Sequence, residues 1–159
     1  MKITGKFIIQ ILGKGQFYNL ISQSKENLLL SVKLFILHNS FITSSMISNS
    51  LAEETAKKGL SLLSGTDFEK LKIIFWNCLG FINTKKGEFK VLPEIIDEMK
   101  KIRGNEINLL LDYQINLLEG RHHFFMRNSE AETFLLNAVK YAKELSERSM
   151  IENSKFELF

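Results

Sequence analysis

Large apolar residues return every three or four positions between Gln16 and Leu37: Phe17, Leu20, Ile21, Leu28, Val32, Phe35 and Ile36. That is the period of one face of an α-helix. The polar triplet His38-Asn39-Ser40 interrupts the run, and Asn39 or Ser40 offers a side-chain oxygen to cap a second helix over residues 41–63. Ser64-Gly65-Thr66-Asp67 closes that helix, with Gly65 suited to a left-handed C-terminal position, and opens a third over residues 68–81. The third is apolar nearly all round (Ile73, Ile74, Phe75, Trp76, Leu79) and is expected to be the central, most buried element. Residues 83–90, with the polar run TKKGEFK, predict an exposed loop. Pro93 fits the first turn of a helix over 94–102, and another helix covers 105–119. Residues 120–128 read as irregular. Ser129 and Glu132 then form a capping box for a last helix over 129–148, whose stripe is Phe134, Leu135, Ala138, Tyr141, Ala142 and Leu145. Strand-like alternation is weak throughout, so the prediction is an all-α, single-domain bundle of about five to seven helices.

Composition leaves that picture in place. The 159 residues suffice for one domain with its own core, read as an N-terminal arm (1–15), the bundle (16–148) and a C-terminal tail (149–159). Phe156, Leu158 and Phe159 are the tail residues that could dock. Thirteen phenylalanines point to a core of large flat side chains. The net charge of +3 is mildly basic and its carriers are scattered (Lys85-Lys86, Lys100-Lys101 with Arg103, Arg121 with Arg127), which permits an RNA or acidic partner without arguing for one. The lone Cys78 lies in the apolar run from Ile73 to Phe81, reads as a buried thiol, and fits a reducing compartment. The apolar run from Phe7 to Leu12 is too short for a signal sequence, and no uninterrupted stretch approaches the roughly 20 residues of a membrane span. A cytoplasmic protein with no membrane partner is expected.

Candidate chemistry concentrates in two places. After a Ser-rich, almost uncharged first half, the second helix carries Glu53, Glu54 and Lys57. An i, i+4 ion pair on a solvated face accounts for Glu53 and Lys57. The other reading turns a glutamate inward, where a carboxylate must be paired, with Arg121 as the basic partner. The second place is Arg121-His122-His123-Phe124-Phe125. Adjacent histidines rarely hold one metal, and no cysteine or acidic cluster accompanies them, so neither metal nor cofactor is expected. An acid–base or RNA-contact role for His122 or His123 beside Arg121 stands against a plain packing role. Arg127-Asn128 opens like an R-N-x-x-x-x-H ribonuclease motif, but Thr133 and Phe134 stand where the histidine would be.

Three stretches taken together resemble a known family: an opening helix ending in a polar hinge over 25–39; Leu51-Ala-Glu-Glu-Thr-Ala-Lys57, similar to an L-A-x-E-E-x-G-K pattern; and Arg121 with Phe124-Phe125 ahead of a helix carrying Ala138 and Ala142, similar to an R-x-x-x-L-Y segment and the helix after it. The family is the AbiV-type abortive-infection proteins, which act in phage defence and are grouped with the helical HEPN domains. The resemblance implies a HEPN-like bundle that pairs as a homodimer. It implies a protein that blocks phage propagation by interfering with translation or RNA, through binding RNA or a phage protein. Glu53, Glu54, Lys57, Lys70 and Arg121 are the positions it carries over. Ala56 stands where the family has glycine, and Asp67-Phe-Glu-Lys70 where it commonly has H-x-x-K. Two alternatives therefore accompany the defence reading: a non-catalytic helical interaction module or subunit, and a metal-independent HEPN-like ribonuclease using Arg121 with His122 or His123.

Overall fold

A computed structural model of the chain describes residues 25–105, 107–146 and 150. Of these, 84% are helical and none lies in a strand. The six helices are α1 (Lys25–Ile47), α2 (Asn49–Leu63), α3 (Lys72–Lys86), α4 (Leu92–Arg103), α5 (Leu109–Phe125) and α6 (Ala131–Glu144), with single 3₁₀ turns at Glu69–Leu71 and Phe89–Val91. The all-α expectation holds. The N-terminal arm, the predicted helix before Lys25, and the tail apart from Met150 lie outside the described residues. The fold groups into two compact units, Met1–Ile82 and Asn83–Phe159.

In the first unit α1 packs against α2. The predicted break at residues 38–40 is absent, and α1 runs on to Ile47. Its polar side chains answer the helix's own carbonyls: Asn39 Nδ2 donates to the Phe35 carbonyl at 2.7 Å and Thr43 Oγ1 to that of Asn39 at 3.1 Å. The break comes at Ser48, which is extended (φ −152°) and accepts from the Leu51 N–H as N-cap of α2. One continuous α1 means that Leu29–Ile47 is 19 residues with a mean hydropathy of 1.2, long and apolar enough to cross a membrane by length and composition.

The inward face of α2 is small: Ala52, Thr55, Ala56 and Gly59 are buried, ahead of Leu63. Phe75, fully buried on α3, seats its ring against Gly59. Gly65 takes the predicted left-handed conformation (φ +73°), and a 3₁₀ turn precedes α3 where a helix start at Phe68 is expected. Trp76 is only half-buried and Phe81 is exposed, so α3 is less enclosed than its apolar run suggests.

In the second unit the expected loop at 83–90 is mostly helix. α3 continues to Lys86 and ends in a Schellman closure, Glu88 N–H to Asn83 O at 2.8 Å and Gly87 N–H to Thr84 O at 3.1 Å, with Gly87 at φ +77°. Pro93 sits in the first turn of α4, as predicted. The helix enclosed nearly all round is α5, which buries ten residues from Leu110 to Arg121. It packs against α4 and α6. Tyr113 and Leu117 of α5 meet Leu135, Ala138 and Ala142 of α6, with Tyr141, Leu145 and Met150 against them. Gly120 does not break α5. A Cβ there would stand 2.5 Å from Leu135 Cδ2 and 3.3 Å from the Leu135 backbone N, so glycine allows α6 to approach closely. Ser129 is not the cap of α6, and the predicted capping box does not form. Instead Asn128 Oδ1 accepts from the Glu130 N–H at 3.0 Å, and α6 starts at Ala131.

Candidate functional site

The acidic–basic part of α2 resolves into two ion pairs, each joining residues one turn apart. Lys57 Nζ lies 2.6 Å from Glu53 Oε1, and Lys58 Nζ lies 2.7 Å from Glu54 Oε1. Glu54 is fully exposed, and its hydrogen bond from Lys58 holds its carboxyl below the ordinary carboxylate range. Glu53 is more sheltered than Lys57, at 24% against 64% side-chain exposure, which leaves it the one α2 carboxylate partly turned from solvent. Exposed i, i+4 pairs of this kind add little to a helix and are screened by salt.

The segment aligned with H-x-x-K forms the link from α2 to α3. Glu69 accepts from the Gly65 N–H at 3.1 Å and from Lys72 Nζ at 2.9 Å, and the Lys72 contact holds its carboxyl below the usual range. Asp67 is exposed and Lys70 half-buried in the 3₁₀ turn. The geometry here is that of a linker fastened at both ends.

Arg121 belongs to the second unit and is buried at 9% exposure on α5, together with Asp112 and Gln114. Asp112 Oδ1 accepts from Arg103 Nε at 2.8 Å, and Glu119 accepts from Lys100 Nζ at 2.6 Å, so two charge-assisted bonds tie α4 to α5. Glu53 belongs to the first unit and Arg121 to the second.

The two histidines diverge. His122 Nδ1 lies 3.1 Å from the Phe89 carbonyl, which can only accept, so Nδ1 is the donor. His123 stacks on Phe134 (centroids 4.9 Å, 16°) and approaches Glu130 through Nδ1 at 3.6 Å. Phe125 stacks on Phe89 at 3.6 Å, and Phe124 meets Phe125 edge-on at 5.5 Å. The histidines are thus fasteners of an aromatic cluster at the C-terminal end of α5. Among the described residues no group of three or more His, Cys, Asp or Glu could hold a metal ion. Cys78 is buried, and burial pushes its thiol up to about 12, far from the range of a nucleophile.

Sequence reasoning missed the exposure of that cluster. Phe124, Phe125 and Met126 stand 59%, 46% and 55% exposed. The expectation of an irregular stretch over 120–128 takes them off the helix that carries them. The available signal was three large apolar residues followed by Arg127, with no glycine to end the helix. Comparison of the chain with protein-family models, with curated proteins and with solved structures gives no match.

Proposed function

We propose that this protein is a helical interaction module of phage defence, acting as a HEPN-like, AbiV-type protein that blocks phage propagation by binding a phage or host protein in the translation pathway. The resemblance of Leu51 to Lys57 and of the Arg121 segment to that family supports the biology. The interaction mode rests on one observation: the outer side of α1. Leu34, Phe41 and Ser44 face inward, while the opposite side exposes two apolar patches, Leu29, Val32 and Ile36 toward one end and Met46 and Ile47 at the other, with the polar Asn39 and Thr43 exposed between them. Exposed apolar patches lined up along one helix are the kind of surface that a protein partner covers.

A second copy of the chain fits it. The charged residues of α1 are Lys25, Glu26 and Lys33, all in its first half, so antiparallel copies bring no like charges opposite one another near Ile36 to Ile47. A two-fold pairing requires this kind of self-complementary patch. The ribonuclease reading has less behind it, because Asp67, Thr133 and Phe134 stand where the relevant patterns carry histidine.

The test is plating efficiency of a phage panel on bacteria expressing the full chain, beside Ile36→Glu and Glu53→Gln/Lys57→Gln variants. The proposal expects protection from the unaltered chain and its loss with Ile36→Glu at unchanged helical content. Protection that survives Ile36→Glu, or none from the unaltered chain, refutes it.

A further inference from the structure

The end of α5 closes in a Schellman motif: Asn128 N–H donates to His123 O at 2.9 Å and Arg127 N–H to Phe124 O at 3.1 Å. The left-handed position of such a closure ordinarily goes to glycine, and Gly87 holds the corresponding place after α3. After α5 it is Arg127, at φ +56°. Arginine there strains the backbone and aims a long cation outward, directly after Phe124, Phe125 and Met126. The stack on Phe89 and the His122 bond hold the rings before any partner arrives. Arg127 and Lys90, the residue after Phe89, are exposed, and neither enters an ion pair among the described residues. Of the carboxylates close by in the chain, Glu88 pairs with Lys86 at 2.8 Å and Glu130 accepts from Asn128 Nδ2 at 3.4 Å.

We infer that this end of α5 is a docking surface for an acidic, apolar segment of a partner protein, its apolar side chains packing on Phe124 and Phe125 and its carboxylates meeting Arg127 and Lys90. Aromatic, Met and Arg side chains are the types enriched where protein interfaces concentrate their binding energy. Two cations complement a few carboxylates. A nucleic-acid strand would draw on a longer basic track and on ring faces left open for bases, whereas one face of Phe125 is covered by Phe89. The inference rests on the interaction reading above and assigns the partner's surface.

The experiment uses the full chain and fluorescence anisotropy with three labelled probes: an amphipathic peptide of about four helical turns bearing Leu on one face and Glu on the other, its Glu-to-Gln counterpart, and an oligouridine RNA. The acidic peptide should bind, weaken as salt is raised, and outcompete the Gln peptide. Arg127→Gly, which suits the left-handed backbone, and Phe124→Ser, at an exposed position, should each weaken it about tenfold with no fall in melting temperature, while Arg127→Lys retains most of the binding. Equal binding of the Gln peptide, unchanged binding by Arg127→Gly and Phe124→Ser, preference for the RNA, or no binding would each overturn the inference. Phage plating separates the two readings. Arg127→Gly and Phe124→Ser that keep protection while Ile36→Glu loses it sink the surface assignment alone. An unaltered chain that binds the peptide yet gives no protection sinks the defence reading alone.

Discussion

Gly59→Ala should destabilise the protein, although the same exchange inside an ordinary helix stabilises it. Gly59 lies in the last half of α2, where alanine's helix propensity is worth about 1 kcal/mol over glycine. Against this gain, the added methyl would stand 2.5 Å from Phe75 Cγ and closer still to two other ring carbons. Ordinary contact needs roughly 3.5–4.0 Å, so ring and helix must part by about an ångström. Phe75 is fully buried and has no route to solvent. Overpacking a well-filled core costs about 1–3 kcal/mol, and a clash this short belongs in the upper half of that range, so after subtracting the helix gain a net loss of about 1–2 kcal/mol is expected. For a chain of this size that is a fall in Tm of roughly 2–8 °C. The single Trp76, next to Phe75 on α3, reports unfolding in urea by its fluorescence. Phe75→Leu costs stability alone but shortens the ring that collides, so the Gly59→Ala/Phe75→Leu pair should lose less than the sum of the single losses. A Gly59→Ala protein more stable than the unaltered chain by about 1 kcal/mol would show that Phe75 does not sit on this seam.

The remaining predictions are quicker to state. Cys78 should react with a thiol reagent at pH 8 only slowly in the folded protein and rapidly in urea, because burial keeps the thiol protonated; fast reaction of the native chain would contradict its place in the core. Burial lowers the His38 pKa below 6.5, so both states are neutral above that pH, and the unfolded chain takes up the proton first as the pH falls. Urea midpoints should therefore drop from pH 7.5 toward pH 5.5, and less so in His38→Gln. The outer face of α1 should make the chain a dimer in sedimentation at tens of micromolar, with Ile36→Glu a monomer of the same helical content. A monomeric unaltered chain would remove the self-pairing.

What the sequence makes legible is whatever depends on period and on single special residues. The stripe of α6, the Pro93 start, the left-handed Gly65 and the buried Cys78 follow from rules that act within one or two turns. The errors share a cause in that local polarity does not say where a polar group finds its partner. His38-Asn39-Ser40 looks like a hinge, yet Asn39 is satisfied by the Phe35 carbonyl inside a continuous helix. Gly120 looks like a breaker, yet its missing Cβ makes room for Leu135, fifteen positions along the chain. Ser129 and Glu132 have capping-box spacing, but Asn128 reaches the Glu130 N–H first and shifts the start of α6. For the candidate site, the i, i+4 pairing of Glu53 with Lys57 was readable from spacing. The rigid support of His122 by Phe89, thirty-three residues away, was not.

Arg127 offers the sharpest separation between stability and function in this chain. If it were kept for the fold, its replacement would cost stability, yet a left-handed arginine is itself unfavourable by about 1–2 kcal/mol relative to a conformation free of its Cβ. Glycine removes that strain and gives back roughly 0.5–1 kcal/mol through the greater freedom of the unfolded chain. Arg127→Gly should therefore leave stability unchanged or raise it by up to about 1 kcal/mol, as the natural Gly87 closure suggests. Arg127→Val, branched at the same strained position, should lose more than about 1 kcal/mol. Urea unfolding of the two variants decides the matter. A gain or no change for glycine with a loss for valine confirms a strained arginine that the fold does not need. A loss for glycine comparable to that for valine would mean that the guanidinium supports the α5–α6 corner, and its outward charge would then need no partner to explain it.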